Sequence, residues 1–265
     1  MAIGVETQVR YLNEEWRERD ETPRIGTRET RRANTSKHDV VVFDARNRLE
    51  DLSLDVNGFR LVAHVTGLDD FTSDADIRAK YYPEIEALAK EITGAEEVFI
   101  TQHVVRTEDT SDFNKAYARF VHCDYSLEDP LATAHKLLEG RRLDPADYEG
   151  AGFAWYNSWQ PIHNPASRNP LAVIDAATLA KEDVVDYFYT GYGKDGKSSM
   201  PVRNPDHEFY YFSDMATDEL LFIKQLDSRP GYASLCPHTS FDDPNSDPEA
   251  PPRRSIEVRM MAVFR

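Results

Sequence analysis

Ser255-Ile256-Glu257-Val258-Arg259-Met260-Met261-Ala262-Val263-Phe264 runs ten residues without glycine or proline, is rich in apolar and β-branched side chains, and reads as a strand. Alternation puts Glu257 and Arg259 on one side of it and, just before and at its start, Arg253 with Ser255. Working outward, Val40-Val41-Val42-Phe43, Phe59-Arg60-Leu61-Val62-Ala63-His64-Val65, Val98-Phe99-Ile100-Thr101, Ala118-Arg119-Phe120-Val121-His122 and Phe153-Ala154-Trp155-Tyr156-Asn157 have the same texture. So do Ala172-Val173-Ile174, Phe209-Tyr210-Tyr211-Phe212 and Leu220-Leu221-Phe222-Ile223. Many strands at short intervals, parted by Pro, Gly and Asp turns, predict a mainly β sandwich or jelly roll with helices packed outside. A doubly wound α/β fold would need strands and helices in regular alternation, and they do not alternate.

One clear helix follows Ser73, a cap with Asp76 three residues on, and places Ile77, Tyr81, Ile85, Leu88 and Ile92 on one face until Gly94 closes it. Pro83 predicts a kink there or a fresh start with the proline in the first turn. Two shorter helices are predicted near residues 130–138 and 182–187. Residues 1–36 read as a polar arm, charged in both signs over 14–32, leaving a single domain over 37–265.

The chain has 265 residues and a formal net charge of -16, which argues against nucleic-acid and anionic-membrane partners, since both would repel it. Its two cysteines, Cys123 and Cys236, form neither a disulfide framework nor a Cys-x-x-Cys metal site. With no apolar run of signal-peptide or membrane-span length, the expected location is the cytoplasm.

The chemistry begins at Val121-His122-Cys123-Asp124-Tyr125. Residues two apart on a strand share a side, so His122 and Asp124 converge while Cys123 points away. They supply two-thirds of a 2-His-1-carboxylate set, which binds iron(II) on one face and leaves the other open. His-x-Asp alone is weak evidence and needs a remote histidine; His238, in Leu235-Cys236-Pro237-His238-Thr239-Ser240-Phe241, is the candidate. Downstream, Arg253 and Ser255 suit a carboxylate, one with a planar guanidinium and one with a hydroxyl, and Arg259 is the rival anchor.

Together these segments resemble the hydroxylase and desaturase family that includes fungal gibberellin desaturase and the CmcJ-like component of cephamycin methoxylation. Further matching stretches are Tyr81-Tyr82-Pro83-Glu84-Ile85-Glu86-Ala87-Leu88, Asn157-Ser158-Trp159-Gln160-Pro161-Ile162, His207-Glu208-Phe209-Tyr210-Tyr211-Phe212 and Asp218-Glu219-Leu220-Leu221-Phe222. Pro237-His238-Thr239-Ser240-Phe241-Asp242-Asp243-Pro244 and Ala250-Pro251-Pro252-Arg253-Arg254-Ser255 complete the likeness, which runs from about Gly58 to the C-terminus. The resemblance implies a cupin-like double-stranded β-helix, with iron(II) on His122, Asp124 and His238, and 2-oxoglutarate and O2 as co-substrates. Arg253, Ser255 and Arg259 are then the co-substrate candidates. It further implies hydroxylation, desaturation or oxidative cyclisation at an unactivated C–H bond of a small molecule in secondary metabolism. Arg106, Asn157, Trp159 and Tyr211 are candidate pocket residues, and a homodimer is left open. Gln160 departs from the arginine of the family's Asn-x-Trp-Arg-Pro pattern, with Arg168 or Arg106 as stand-ins.

Two other readings stay in view. A cupin-like metal isomerase or hydrolase would use the same three ligands without a keto acid, and a non-catalytic auxiliary subunit would need none of them.

Overall fold

The computed structural model describes residues 4–107, 118–190 and 196–265. In chain order its elements are β1 (Gly4–Leu12), β2 (Arg24–Ile25), α1 (Arg28–Asn34), β3 (Thr35–Asp44), β4 (Phe59–Ala63), α2 (Asp74–Asp76), α3 (Tyr82–Thr93), β5 (Glu97–Arg106) and α4 (Pro130–Gly140). There follow β6 (Gly152–Pro161), β7 (Leu171–Ile174), β8 (Val184–Tyr189), β9 (Gly196–Pro201), β10 (Phe209–Tyr211), β11 (Glu219–Asp227), β12 (His238–Ser240) and β13 (Ser255–Phe264). Two five-stranded sheets, β1-β3-β10-β7-β12 and β4-β11-β6-β13-β5, carry the fold, with β2-β8-β9 as a smaller third. Val173 and Tyr210 of the first sheet meet Trp159, Leu221 and Ile223 of the second in a shared apolar cluster. This is the predicted jelly roll.

The front of the chain departs from expectation. Val5, Val9 and Tyr11 are buried along β1, which pairs with β3 over its whole length, from Gly4 opposite Phe43 to Leu12 opposite Thr35. The polar arm assigned to residues 1–36 is therefore corrected, because its described part holds β1, β2 and α1. A half-buried strand carries charge on its wet side, and that charge masked the alternation. Residues 182–187 are corrected too: a single 3-10 turn, Lys181–Asp183, gives way to β8, whose valines and aromatics favour a strand. Residues 118–121 lie outside any regular strand, and beside them only His122 and Cys123 make isolated bridges, to His238 and Ser199.

The main helix forms as its cap and period predict. Ser73 Oγ accepts from the Asp76 backbone N–H, and Gly94 closes α3 in the left-handed conformation at φ 72°. Between α2 and α3 the turn Ile77–Tyr81 is a π-helix. Pro83 lacks an N–H and its ring crowds the carbonyl four residues back, and it sits in the first turn of α3, directly after this wider turn, as the fresh-start alternative expects. Among the described residues no helix is long and apolar enough to cross a membrane.

The β6–β13 ladder organises the centre. Its register sets Glu257 opposite Trp159, Arg259 opposite Asn157, Met261 opposite Trp155 and Val263 opposite Phe153. The alternate residues Ala154, Tyr156, Ile256, Val258, Met260 and Ala262 face the other way, into a cluster with Ile77, Tyr81 and Ile85 of the helical layer. At roughly 1.5–3 kcal/mol for each large side chain fully buried, this convex face is a main source of stability.

Candidate metal centre

His122 and His238 are brought together by the backbone. The His122 N–H donates to the His238 carbonyl at 3.1 Å, and the reverse bond is 2.9 Å. Directly opposed residues of an antiparallel pair project to the same side, and the two rings lie 4.5 Å apart between centroids. His122 Nδ1 is 2.9 Å from the Phe120 carbonyl. A carbonyl only accepts, so Nδ1 carries the proton and Nε2 keeps its lone pair. Burial, reinforced by the neighbouring His238, pushes His122 down to about 4; burial also lowers His238. Both imidazoles are neutral at ordinary pH, as metal ligation requires.

Asp124 completes the group, with Oδ1 3.9 Å from His122 Nε2 and a side chain only 6 % exposed. Its Oδ2 accepts from Asn157 Nδ2 at 2.6 Å, and its Oδ1 lies 3.0 Å from Arg259 Nη2. Burial works to raise this carboxyl, but the Arg259 guanidinium and the other neighbours outweigh it and hold it well below the usual carboxylate range. Gln225 Oε1 accepts from the Asp124 backbone N–H at 3.0 Å, while its amide nitrogen stands 3.4 Å from His238 Nδ1. Two neutral imidazoles and an ionised carboxylate are a chemically fitting set for iron(II). Among the described residues, no three His, Cys, Asp or Glu side chains stand close enough to close on an ion as arranged. The 3.9 Å gap at Asp124 compares with about 3 Å between two ligands of one small cation.

Glu257, buried beside this group, accepts from Arg259 Nε at 2.7 Å. Burial works to raise Glu257 as well, yet Arg259, helped by Arg106, holds it down. Sequence reasoning paired Glu257 with Arg259 on one face but gave it no role. The missed signal was acid and base alternating inside a strand that is otherwise apolar after Ser255. Gln225, hidden in the run of β11, offered no such signal.

Arg253 is buried, 5.3 Å from the Trp159 ring centroid, and donates to the Asn169 carbonyl. Ser255 is buried, and among the described residues its Oγ has no hydrogen-bond partner, nor has Asn157 Oδ1. Buried polar atoms left in this state mark places where a polar group is accommodated. The Ser255 hydroxyl can donate and so fits a co-substrate carboxylate beside Arg253, whereas Asn157 Oδ1 only accepts and calls for a donor.

Of the remaining pocket candidates, Arg106 lies opposite Ser255 in the β5–β13 ladder and its charge is felt at His238. Tyr211 is corrected. The register His238–Val173–Tyr210 fixes the face that carries His238, so the next residue, Tyr211, points away and packs edge-on against Phe241 at 5.3 Å. Gln160 also faces away, accepting from Tyr81 Oη at 2.6 Å and donating to the His64 carbonyl at 3.0 Å. In place of an arginine, this glutamine ties β6 to the helical layer. Arg168 donates to the Ala250 carbonyl at 3.1 Å, and Lys224 is buried against Asp227 at 2.8 Å. Burial pushes the Cys123 and Cys236 thiols well up, so neither supplies a thiolate.

Comparison with known proteins gives the chain its family and its relatives. Residues 9–264 match the family model of an oxidoreductase/YMDC permease-like domain. The hydroxylase/desaturase efuI of Hormonema carpetanum is 31% identical over 91% of this chain and 88% of its own. The gibberellin cluster GA4 desaturase of Gibberella fujikuroi is 26% identical over 85% of this chain and 86% of its own. A solved structure of the iron and alpha-ketoglutarate-dependent endoperoxidase NvfI superposes with a TM-score of 0.87, at 25% identity, over 100% of this chain and 99% of that one. The chain therefore belongs to the hydroxylase/desaturase family of iron(II)- and 2-oxoglutarate-dependent dioxygenases.

Proposed function

We propose that His122, Asp124 and His238 hold the iron(II) of this dioxygenase, and that Arg253 and Ser255 receive the distal carboxylate of 2-oxoglutarate. The observation that carries the reading is the backbone-paired, neutral His122–His238 couple beside an ionised, buried Asp124. Iron(II) with 2-oxoglutarate and O2 would supply the oxidant that takes hydrogen from a C–H bond of a small molecule, with succinate and carbon dioxide as by-products. The chain's own part is to bind and orient. His122 offers Nε2 because Phe120 fixes its Nδ1 proton, and Asn157 and Gln225 fix Asp124 from two sides. Ser255 Oγ donates to the co-substrate carboxylate, and the Arg253 guanidinium, steadied over Trp159, neutralises it. The Trp159 cluster on one side and the Trp155–Met261 cluster on the other keep water from the centre.

Arg253 is favoured over Arg259 as the anchor because Arg259 is already shared by Asp124 and Glu257. The buried Arg253–Ser255 pair also favours the keto-acid enzyme over an isomerase or hydrolase on the same ligands. A small-molecule C–H substrate, taken in the cytoplasm by hydroxylation, desaturation or cyclisation, completes the reading. The test is succinate release from 2-oxoglutarate under iron(II), ascorbate and O2. Wild type should form succinate, and Arg253→Met should raise the 2-oxoglutarate KM while leaving metal affinity unchanged. Metal-loaded protein that leaves 2-oxoglutarate untouched would contradict the proposal.

A further inference from the structure

Arg259 stands between two carboxylates inside the protein. Its Nη2 is 3.0 Å from Asp124 Oδ1 and its Nε is 2.7 Å from Glu257 Oε1, with side-chain exposures of 16, 6 and 7 % for Arg259, Asp124 and Glu257. Asp124 Oδ2 is committed to Asn157 at 2.6 Å. The oxygen nearest the His122 lone pair is thus the same Oδ1 that Arg259 holds. A divalent cation taking Oδ1 would bring two positive charges against a guanidinium that cannot lose its own, in surroundings where like charges repel strongly. Were Asp124 its sole partner, leaving that oxygen would strand a buried cation, which is costly. Glu257, two residues back on the same strand face, removes that cost by gripping the other side of the guanidinium.

We propose that Arg259 is a positioning residue that guards the metal-binding oxygen of Asp124, and that Glu257 is the counter-charge that retains Arg259 in the wall when a divalent ion takes the oxygen over. The inference rests on the reading of His122, Asp124 and His238 as ligands. It makes the two members of one ion pair act in opposite directions on metal affinity, which a merely structural pair would not do.

The experiment is an anaerobic titration of the whole chain with cobalt(II) alone, read by its visible absorption bands. Arg259→Gln should bind about tenfold more tightly than wild type and Glu257→Gln about tenfold more weakly, the size typical of outer partners of a metal site. The double variant should regain the affinity that Glu257→Gln loses. Weakening in both single variants, no change in either, or complete loss of uptake in Glu257→Gln overturns the proposal. His238→Ala, run alongside, separates the two failures: unchanged uptake there removes the ligand reading itself. Should either charge variant fail to fold, wild-type crystals with and without cobalt decide. Loss of the Nη2–Oδ1 contact with the Nε–Oε1 contact kept is the predicted result, and cobalt on Oδ1 with Arg259 still in place contradicts it.

Discussion

The two faces of the β6–β13 ladder are built from alternate residues of the same strands, yet they do opposite work. The convex face sets Ile256, Val258, Met260 and Ala262 against the helical layer. The concave face places Asn157, Glu257 and Arg259 between one apolar cluster around Trp159 and another around Trp155, Met261 and Val263. Buried charge seldom stabilises a fold relative to well-packed apolar residues. The comparison teaches that one face of a shared backbone can be given wholly to packing while the other, between two apolar clusters, holds a chemically useful charge group.

That division can be broken by substitution. Phe222→Ala, in the convex cluster, should cost about 3–5 kcal/mol in urea unfolding, while the protein that remains folded binds metal as wild type. Loss of metal binding in proportion to loss of stability would mean the faces are not separable.

Acid should strike the concave face instead. His122 titrates at about 4 in the folded protein, against about 6.5 in an unfolded chain. Between those values the unfolded chain binds protons that the folded one does not. Stability of the metal-free protein is therefore full above about pH 6.5 and falls as pH drops toward 4, by about 3 kcal/mol for this residue. Urea midpoints at pH 7.5 and 4.5 measure it, and Val258→Ala should leave the difference unchanged.

Smaller effects separate the parts within the concave face. Asn157→Ala removes the 2.6 Å bond to Asp124 and should weaken metal affinity roughly 10–100-fold. Ser255→Ala should raise the 2-oxoglutarate KM by roughly tenfold, the size of one hydrogen bond to a charged group, with metal affinity unmoved. Equal responses to the two would merge the metal and co-substrate sites into one.

Much of this arrangement was legible in the chain. His-x-Asp and the remote His238 singled out the three residues proposed as ligands because spacing on an extended backbone fixes side, and the last strand announced itself by composition. Tyr211 was misplaced because the facing of a tyrosine depends on register with β7 and β12, which no local pattern encodes. The ligand reading needed His238 on a strand able to pair beside His122, and the structure pairs the two through both backbone bonds, a register no local pattern encodes. β1 was lost among charges, and β8 was mistaken for a helix in a segment too short for periodicity to decide. Gln160 looked like a lost functional arginine, and only its bonds to Tyr81 and His64 reveal a structural tie.

The most direct measurement is anomalous diffraction at the iron edge from crystals soaked anaerobically with iron(II). The account predicts a single strong peak bonded to His122, Asp124 and His238. A peak at other residues, or none at this site under saturating iron, would contradict it.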